Sequence, residues 1–145
     1  MAKFKYKFDI IKEIKQQLEK KAQKELAVID VDIANNNNKI FELVKLLKEQ
    51  KKKKLDKKSK TIKEYHFDEK YESYLVEQIE LIRKYIAKKK IERNKKLQEL
   101  IKKSKETKTF EKLEEKHFAD FIKTQEKLEQ KEMDEFAVKE FIKEK

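Results

Sequence analysis

Residues 26–47 read LAVIDVDIANNNNKIFELVKLL. Within them Leu26, Ile29, Ile33, Ile40, Leu43 and Leu47 recur in steps that are mostly threes and fours. Residues at that spacing fall on one side of an α-helix, so the pattern is the seam of a coiled coil. Toward the N-terminus the same spacing runs back through Ala22, Leu18, Ile14, Ile11, Phe8 and Phe4, and forward it reaches Leu55. The steps Leu18–Ala22–Leu26 are four and four, a stutter that locally unwinds a left-handed supercoil. Asn36 falls on the seam, inside the polar run Asn35–Asn38. Two readings stand: a polar layer that the seam tolerates, or a register pin kept at a cost in stability.

Beyond this helix the stretch 48–60 reads KEQKKKKLDKKSK, with eight Lys against Glu49 and Asp56. Lys51 to Lys54 repel one another and bury nothing. Ser59 and Thr61 are residue types that cap helices. This region is the expected connection between two helices. Helical spacing then resumes with Phe67, Tyr71, Tyr74, Leu75, Ile79, Ile82 and Ile86, and continues through Leu97, Leu113, Phe121 and Leu128 to Phe141. Thr107 and Thr109 mark a soft spot, either a local break or a weak turn of helix. The spacing predicts helix 1 over about 4–57, a connection over about 58–65 and helix 2 over about 66–142. The expected fold is all-α: a single domain over 1–145, folded as an elongated antiparallel two-helix coiled coil. A helix of about 50 residues is roughly 75 Å long and one of about 75 residues roughly 110 Å. The second must therefore overhang, bend or meet a partner.

Composition supports this. The chain has 145 residues and no Gly, Pro, Cys or Trp. Without Gly or Pro, tight turns and positive-φ positions are scarce, which argues against sandwiches, barrels and dinucleotide-binding folds. Without Cys there is no disulfide framework and no thiolate metal site. No apolar run approaches the 18 or so residues of a membrane span. Lys3, Lys5, Lys7 and Asp9 interrupt any signal-peptide core at the N-terminus, so export by that route is not expected.

Charged residues are 48% of the chain and the net charge is +11. The excess lies in the middle: residues 45–109 are strongly basic, whereas 110–145 are mildly acidic. Folding the chain back on itself gives a basic tip and a nearly neutral base. Such a tip suits nucleic acid, anionic lipid or an acidic protein surface, and it also suits a solvated lysine-rich face. Base readout favours Arg, Asn and Gln, and the only arginines are Arg83 and Arg93. Specific nucleic-acid recognition is therefore not expected.

Catalytic chemistry is not expected either, nor a cofactor or metal. There is no Gly-rich phosphate loop. Ser59, Ser73 and Ser104 sit in charged helical contexts, and His66 and His117 are far apart in sequence. His117 lies near Glu114, Glu115 and Asp120, which suits a surface helix better than a metal site. The scattered carboxylates read as i,i+4 partners of Lys.

The opening segment FKYKFDIIKEI (residues 4–14), followed by QLEKKAQKELA (17–27), resembles the start of the FliJ family. So does the close, with TFEKLEEK (109–116) and QEKLEQKEMDEFAV (125–138), whose Asp134, Glu135, Phe136 and Ala137 match an acidic–apolar–Ala run. One departure is Glu140 after Lys139, where the family usually has basic residues. The resemblance implies a helical hairpin similar to the coiled coil of the rotary ATPase γ subunit. It also implies a non-catalytic component of flagellar type III protein export, serving flagellum biogenesis and chemotaxis. The implied partners are the hexameric export ATPase, the transmembrane export gate and some export chaperones. The implied location is cytoplasmic, peripheral at the inner face of the cytoplasmic membrane. On this basis the ATPase-facing residues are Phe4, Tyr6, Phe8, Ile11, Gln17, Gln130, Met133, Asp134 and Phe136. The gate- or chaperone-facing tip comprises Leu47, Lys51, Lys54, Tyr65, Phe67, Tyr71 and Tyr74. Exposed aromatics beside Lys suit an interface, although Phe67, Tyr71 and Tyr74 could equally close the core at the tip. The alternatives to export are a structural scaffold, such as a homodimer, and a non-specific binder of anionic surfaces through the lysine-rich tip.

Overall fold

The computed structural model describes residues 2–56 and 61–144. It consists of two long helices, α1 (Asp9–Asp56) and α2 (Ile62–Glu144), packed as an antiparallel hairpin, with no strand among the described residues. The direction of pairing is visible in the side-chain bridges. As the residue number rises on α1 it falls on α2: Glu25 meets Lys96, Asp30 meets Arg93, Asp32 meets Tyr85 and Gln50 meets Asp68.

Each helix start has a local cause. Helix α1 begins at Asp9 rather than near residue 4. The Tyr6 carbonyl accepts the Asp9 N–H (3.2 Å) and the Phe8 carbonyl accepts the Lys12 N–H (2.8 Å), so the chain turns before the helix begins. Asp9 stands in the first turn and Lys53 and Lys54 in the last, each complementing the helix dipole. Helix α2 begins at Ile62, within the stretch expected as connection. Thr61 caps it: its hydroxyl accepts the Glu64 N–H (3.2 Å) and its carbonyl the Tyr65 N–H (3.0 Å). Ser59, the other expected cap, lies outside the described residues.

The chain forms two compact units, one of residues 1–20 with 101–145 and one of residues 21–100. In the second unit Ala22, Ile29, Leu75, Ile79 and Ile86 are buried along the seam, Leu75 most completely. The seam is thin, and charged side chains flank it. Ion pairs this exposed are each worth about 0–1 kcal/mol, so burial along the seam carries the stability.

Asn36 is buried on the seam, as its spacing predicts. Its side-chain amide donates to the Asp32 carbonyl (2.8 Å) and to Asp32 Oδ1 (3.0 Å), both on its own helix. The link across to α2 is made by Asp32, whose Oδ2 accepts from the Tyr85 hydroxyl at 2.6 Å. Asn36 is thus a self-satisfied polar layer that orients a neighbouring carboxylate. The Tyr85 phenol is raised above its ordinary pKa, chiefly by that hydrogen bond to Asp32 and then by burial. A raised phenol adds stability below the ordinary tyrosine range, and that contribution is lost as pH rises through the raised value. Asp32→Ala is expected to lower the thermal midpoint and to bring Tyr85 titration back toward the ordinary value. Tyrosine ring signals followed by NMR through alkaline pH, with thermal melts, check both.

In the first unit Thr107 is buried and helical, and its hydroxyl donates to the Lys103 carbonyl (3.0 Å). Thr109 does the same to Lys105 (2.8 Å). Helix α2 therefore runs through this soft spot unbroken, with threonine hydroxyls satisfied by the preceding turn.

Candidate partner surfaces

The N-terminal segment 2–8 is not a free arm. Phe4 packs edge-on against Phe118 (ring centroids 5.3 Å) and tilted against Phe121 (5.5 Å). Tyr6 contacts Phe8 (5.9 Å) and His117 (5.6 Å), and Phe8 reaches Phe110 (6.2 Å). Alternating aromatics in the FKYKF stretch, which ends in a turn at Lys7–Phe8, reach several turns of one helix in this way. The Tyr6 hydroxyl donates to the Phe110 carbonyl at 2.8 Å. The Tyr6 phenol is raised, first by burial and then by the Glu114 charge. Lys12 pairs with Glu114 at 2.7 Å, and this hydrogen bond is the main cause of its raised pKa. Tyr6→Phe is expected to speed amide exchange at Asp9 and Lys12 about tenfold, because the first turn of α1 leans on Tyr6. Exchange rates unchanged from the parent would refute this role.

These contacts divide the residues that the sequence assigned to the ATPase-facing end. Tyr6 is buried and Phe4 and Phe8 are half-buried against α2. Ile11 and Gln17 are exposed on α1. Gln130, Met133, Asp134 and Phe136 lie on α2 beyond Phe121, and every described residue from Glu126 to Glu144 is exposed. Gln130 donates to Asp134 one turn on, at 3.1 Å. Along this stretch Met133, Phe136, Val138 and Ile142 are 57–67% exposed. Shallow grooves flank it on two sides, one lined by Glu129, Met133, Phe136 and Ala137, the other by Lys131, Asp134, Glu135 and Val138. At 100° per residue the Met133–Phe136–Ala137 face and the Val138–Ile142 face are about 160° apart, and Phe141, itself 60% exposed, lies between them. Sequence reasoning missed Val138 and Ile142. Their signal was the i,i+4 spacing of two apolar residues off the main seam.

At the tip, Leu47 is half-buried and Lys51 is exposed. Lys54 is half-buried between Glu72 (3.9 Å) and the ring of Tyr65 (4.9 Å). Tyr65, Phe67 and Tyr74 are 47%, 69% and 55% exposed, whereas Tyr71 is half-buried. Only Tyr71 of the four therefore reaches into the seam. Leu55, which its spacing places on the seam, is instead 85% exposed where α1 ends, and Ile62, which sequence reasoning did not name, is 78% exposed at the start of α2.

Among the described residues no group of three His, Asp or Glu side chains converges to hold a metal ion. His117 belongs to the aromatic cluster. No helix among them is long and apolar enough to cross a membrane. The grooves along the stretch 126–144 are open and shallow, and they are lined by exposed apolar and charged side chains.

No curated protein and no solved structure matches the chain. A family profile described as flagellar FliJ protein matches residues 4–145, essentially the whole chain. With two antiparallel helices and termini folded as described, the chain belongs to the FliJ family, the structural, non-catalytic components of flagellar protein export.

Proposed function

We propose that the chain is the stalk that binds the hexameric export ATPase and couples it to the transmembrane export gate, with export chaperones as further partners. The observation that carries this reading is the exposed stretch 126–144, apolar on two opposite faces that Phe141 joins into one wide band. A helix that is apolar on one face docks on one surface. A helix that is apolar on opposite faces is covered only by a partner that approaches from both sides. The mouth of a protein ring meets that requirement. Ile11 and Gln17 on α1 add exposed contact on the same unit. The tip, with exposed Tyr65, Phe67, Tyr74 and Lys51 and with Lys54 over the Tyr65 ring, is the gate- or chaperone-facing end. In this reading the chain works at the inner face of the cytoplasmic membrane.

The direct test mixes the full chain with the export ATPase of the same organism. ATP hydrolysis is expected to rise several-fold, and the ATPase to sediment as a ring at lower concentration. If neither quantity moves, the stalk reading fails. Light scattering of the chain alone is expected to give a 17.7 kDa monomer, and a stable dimer would favour the scaffold instead.

A further inference from the structure

We infer that the outward side of α2 between Lys84 and Gln98 docks an acidic helix of a partner protein. From Arg83 to Leu100 eight basic residues stand against Glu92 and Glu99 alone. The structure divides the eight into two sets. Lys89, Arg93 and Lys96 are half-buried and turn toward α1, where Asp32 (4.0 Å), Asp30 and Glu25 (3.2 Å) receive them. The same two lysines also hold both acids of the stretch, Lys89 taking Glu92 (3.2 Å) and Lys96 taking Glu99 (3.6 Å). Arg83, Lys84, Lys88, Lys90 and Lys95 are exposed, and none of them has an ion-pair partner among the described residues. A row of cations that no carboxylate pairs attracts an anionic partner.

The form of that partner follows from the register. Lys84, Lys88, Ile91, Lys95 and Gln98 follow one another in steps of four, three, four and three. At 100° per residue they fall within about 80° of helix surface, on the side opposite buried Ile79 and Ile86. These are the steps of a coiled-coil seam, so a helix laid along α2 stays in register with them. The inner side of the same stretch shows what such a helix carries. There α1 meets Lys89, Arg93 and Lys96 with three carboxylates drawn from residues 25–32. A partner helix with carboxylates at that density meets the outer row in the same way. Ile91 stands in the middle of the row and is 61% exposed. An aliphatic side chain on a facing helix covers it, whereas a phosphate backbone leaves it bare. A bilayer takes lysines in any arrangement, so the register has no use there. The ATPase reading rests on residues 126–144 and is independent of this surface.

The test uses the full chain and a labelled helix-forming peptide of Glu, Leu and Ala, with Glu and Leu at the coiled-coil positions. Binding is followed by fluorescence anisotropy at about 0.1 M salt, where charges more than ~10 Å apart are largely screened. The chain is expected to bind this peptide, and to bind the same peptide with Gln at every Glu at least about tenfold more weakly. The variant K84Q/K88Q/K95Q is expected to lose about tenfold, the sum of three exposed ion pairs. The variant K21Q/K24Q/K39Q removes the same charge from exposed lysines of α1, and is expected to change the affinity less than about twofold. Ile91→Ser keeps every charge and is expected to weaken binding several-fold. Circular dichroism of each variant confirms that the helices form. No binding of the acidic peptide, equal losses in the two triple variants, or full binding by Ile91→Ser overturns the inference. So does tighter binding of a duplex DNA oligonucleotide or of phosphatidylglycerol vesicles through the same three lysines. Self-association of the chain that K84Q/K88Q/K95Q abolishes would assign the surface to a second copy instead. Because no ATPase is present, a negative result leaves the ATPase test untouched, and the reverse holds as well.

Discussion

Ending the chain at Lys131 is expected to leave the thermal midpoint unchanged while abolishing stimulation of the export ATPase. The two halves of this prediction have separate causes. Residues from Glu132 to Glu144 are exposed throughout, so their removal takes nothing from the seam or from the aromatic cluster around Tyr6. Isolated helical ends contribute little to stability when no face is packed. The same residues supply both apolar faces of the exposed stretch. Single changes should divide the effect between them: Phe136→Asp and Val138→Asp strike opposite sides of the helix, and each is expected to weaken ATPase binding at least tenfold, about 1.4 kcal/mol or more. A partner that covers one side only would be indifferent to one of the two. Binding titrations of both variants therefore measure how the partner encloses the helix, and melts of the truncated chain check that the rest of the fold stands without it. A large fall in the midpoint would mean that the C-terminal stretch packs back on the hairpin.

Replacing Leu75 with Ala is expected to destabilise the hairpin by about 3 kcal/mol, within the range for fully buried leucines. Leu75 is the one large side chain buried to below 2% exposure among the described residues. A two-helix seam cannot collapse around the missing methyl groups as a multilayered core can, since each layer has solvent on both sides. For a chain of this length the loss corresponds to a fall in the thermal midpoint of about 6–12 °C. Leu81→Ala is the control. Leu81 is 52% exposed, and the same chemical change there is expected to cost less than about 1 kcal/mol. Comparable losses at the two positions would show that the seam is not where the stability lies.

The helices and their mutual packing were legible because an apolar step of three or four survives any amount of charge around it. Leu26 to Leu47 was sufficient for the first helix, the basic break after Lys48 supplied the reversal, and the renewed spacing from Phe67 supplied the second helix. What spacing could not reveal was the N-terminal segment. Phe4 and Phe8 stand at helical distance from Ile11, and a periodicity count extends the helix through them. Their rings instead reach across to α2 from a non-helical segment, which depends on partners more than a hundred residues away. The same long-range contact explains why Tyr6 looked like an interface residue and is buried. At the tip the reverse holds. Tyr65, Phe67 and Tyr74 are outside the seam, and no spacing argument could choose between packing and exposure for aromatics so close to a chain reversal.

The docking of Phe4 between Phe118 and Phe121 also offers a vantage point. The chain contains no cysteine, so Lys3→Cys would give one unique attachment site for a fluorescent dye, held by its neighbour close to where α2 becomes bare. Its emission would respond when another molecule covers that stretch, turning the amino-terminal segment into a built-in reporter of partner binding.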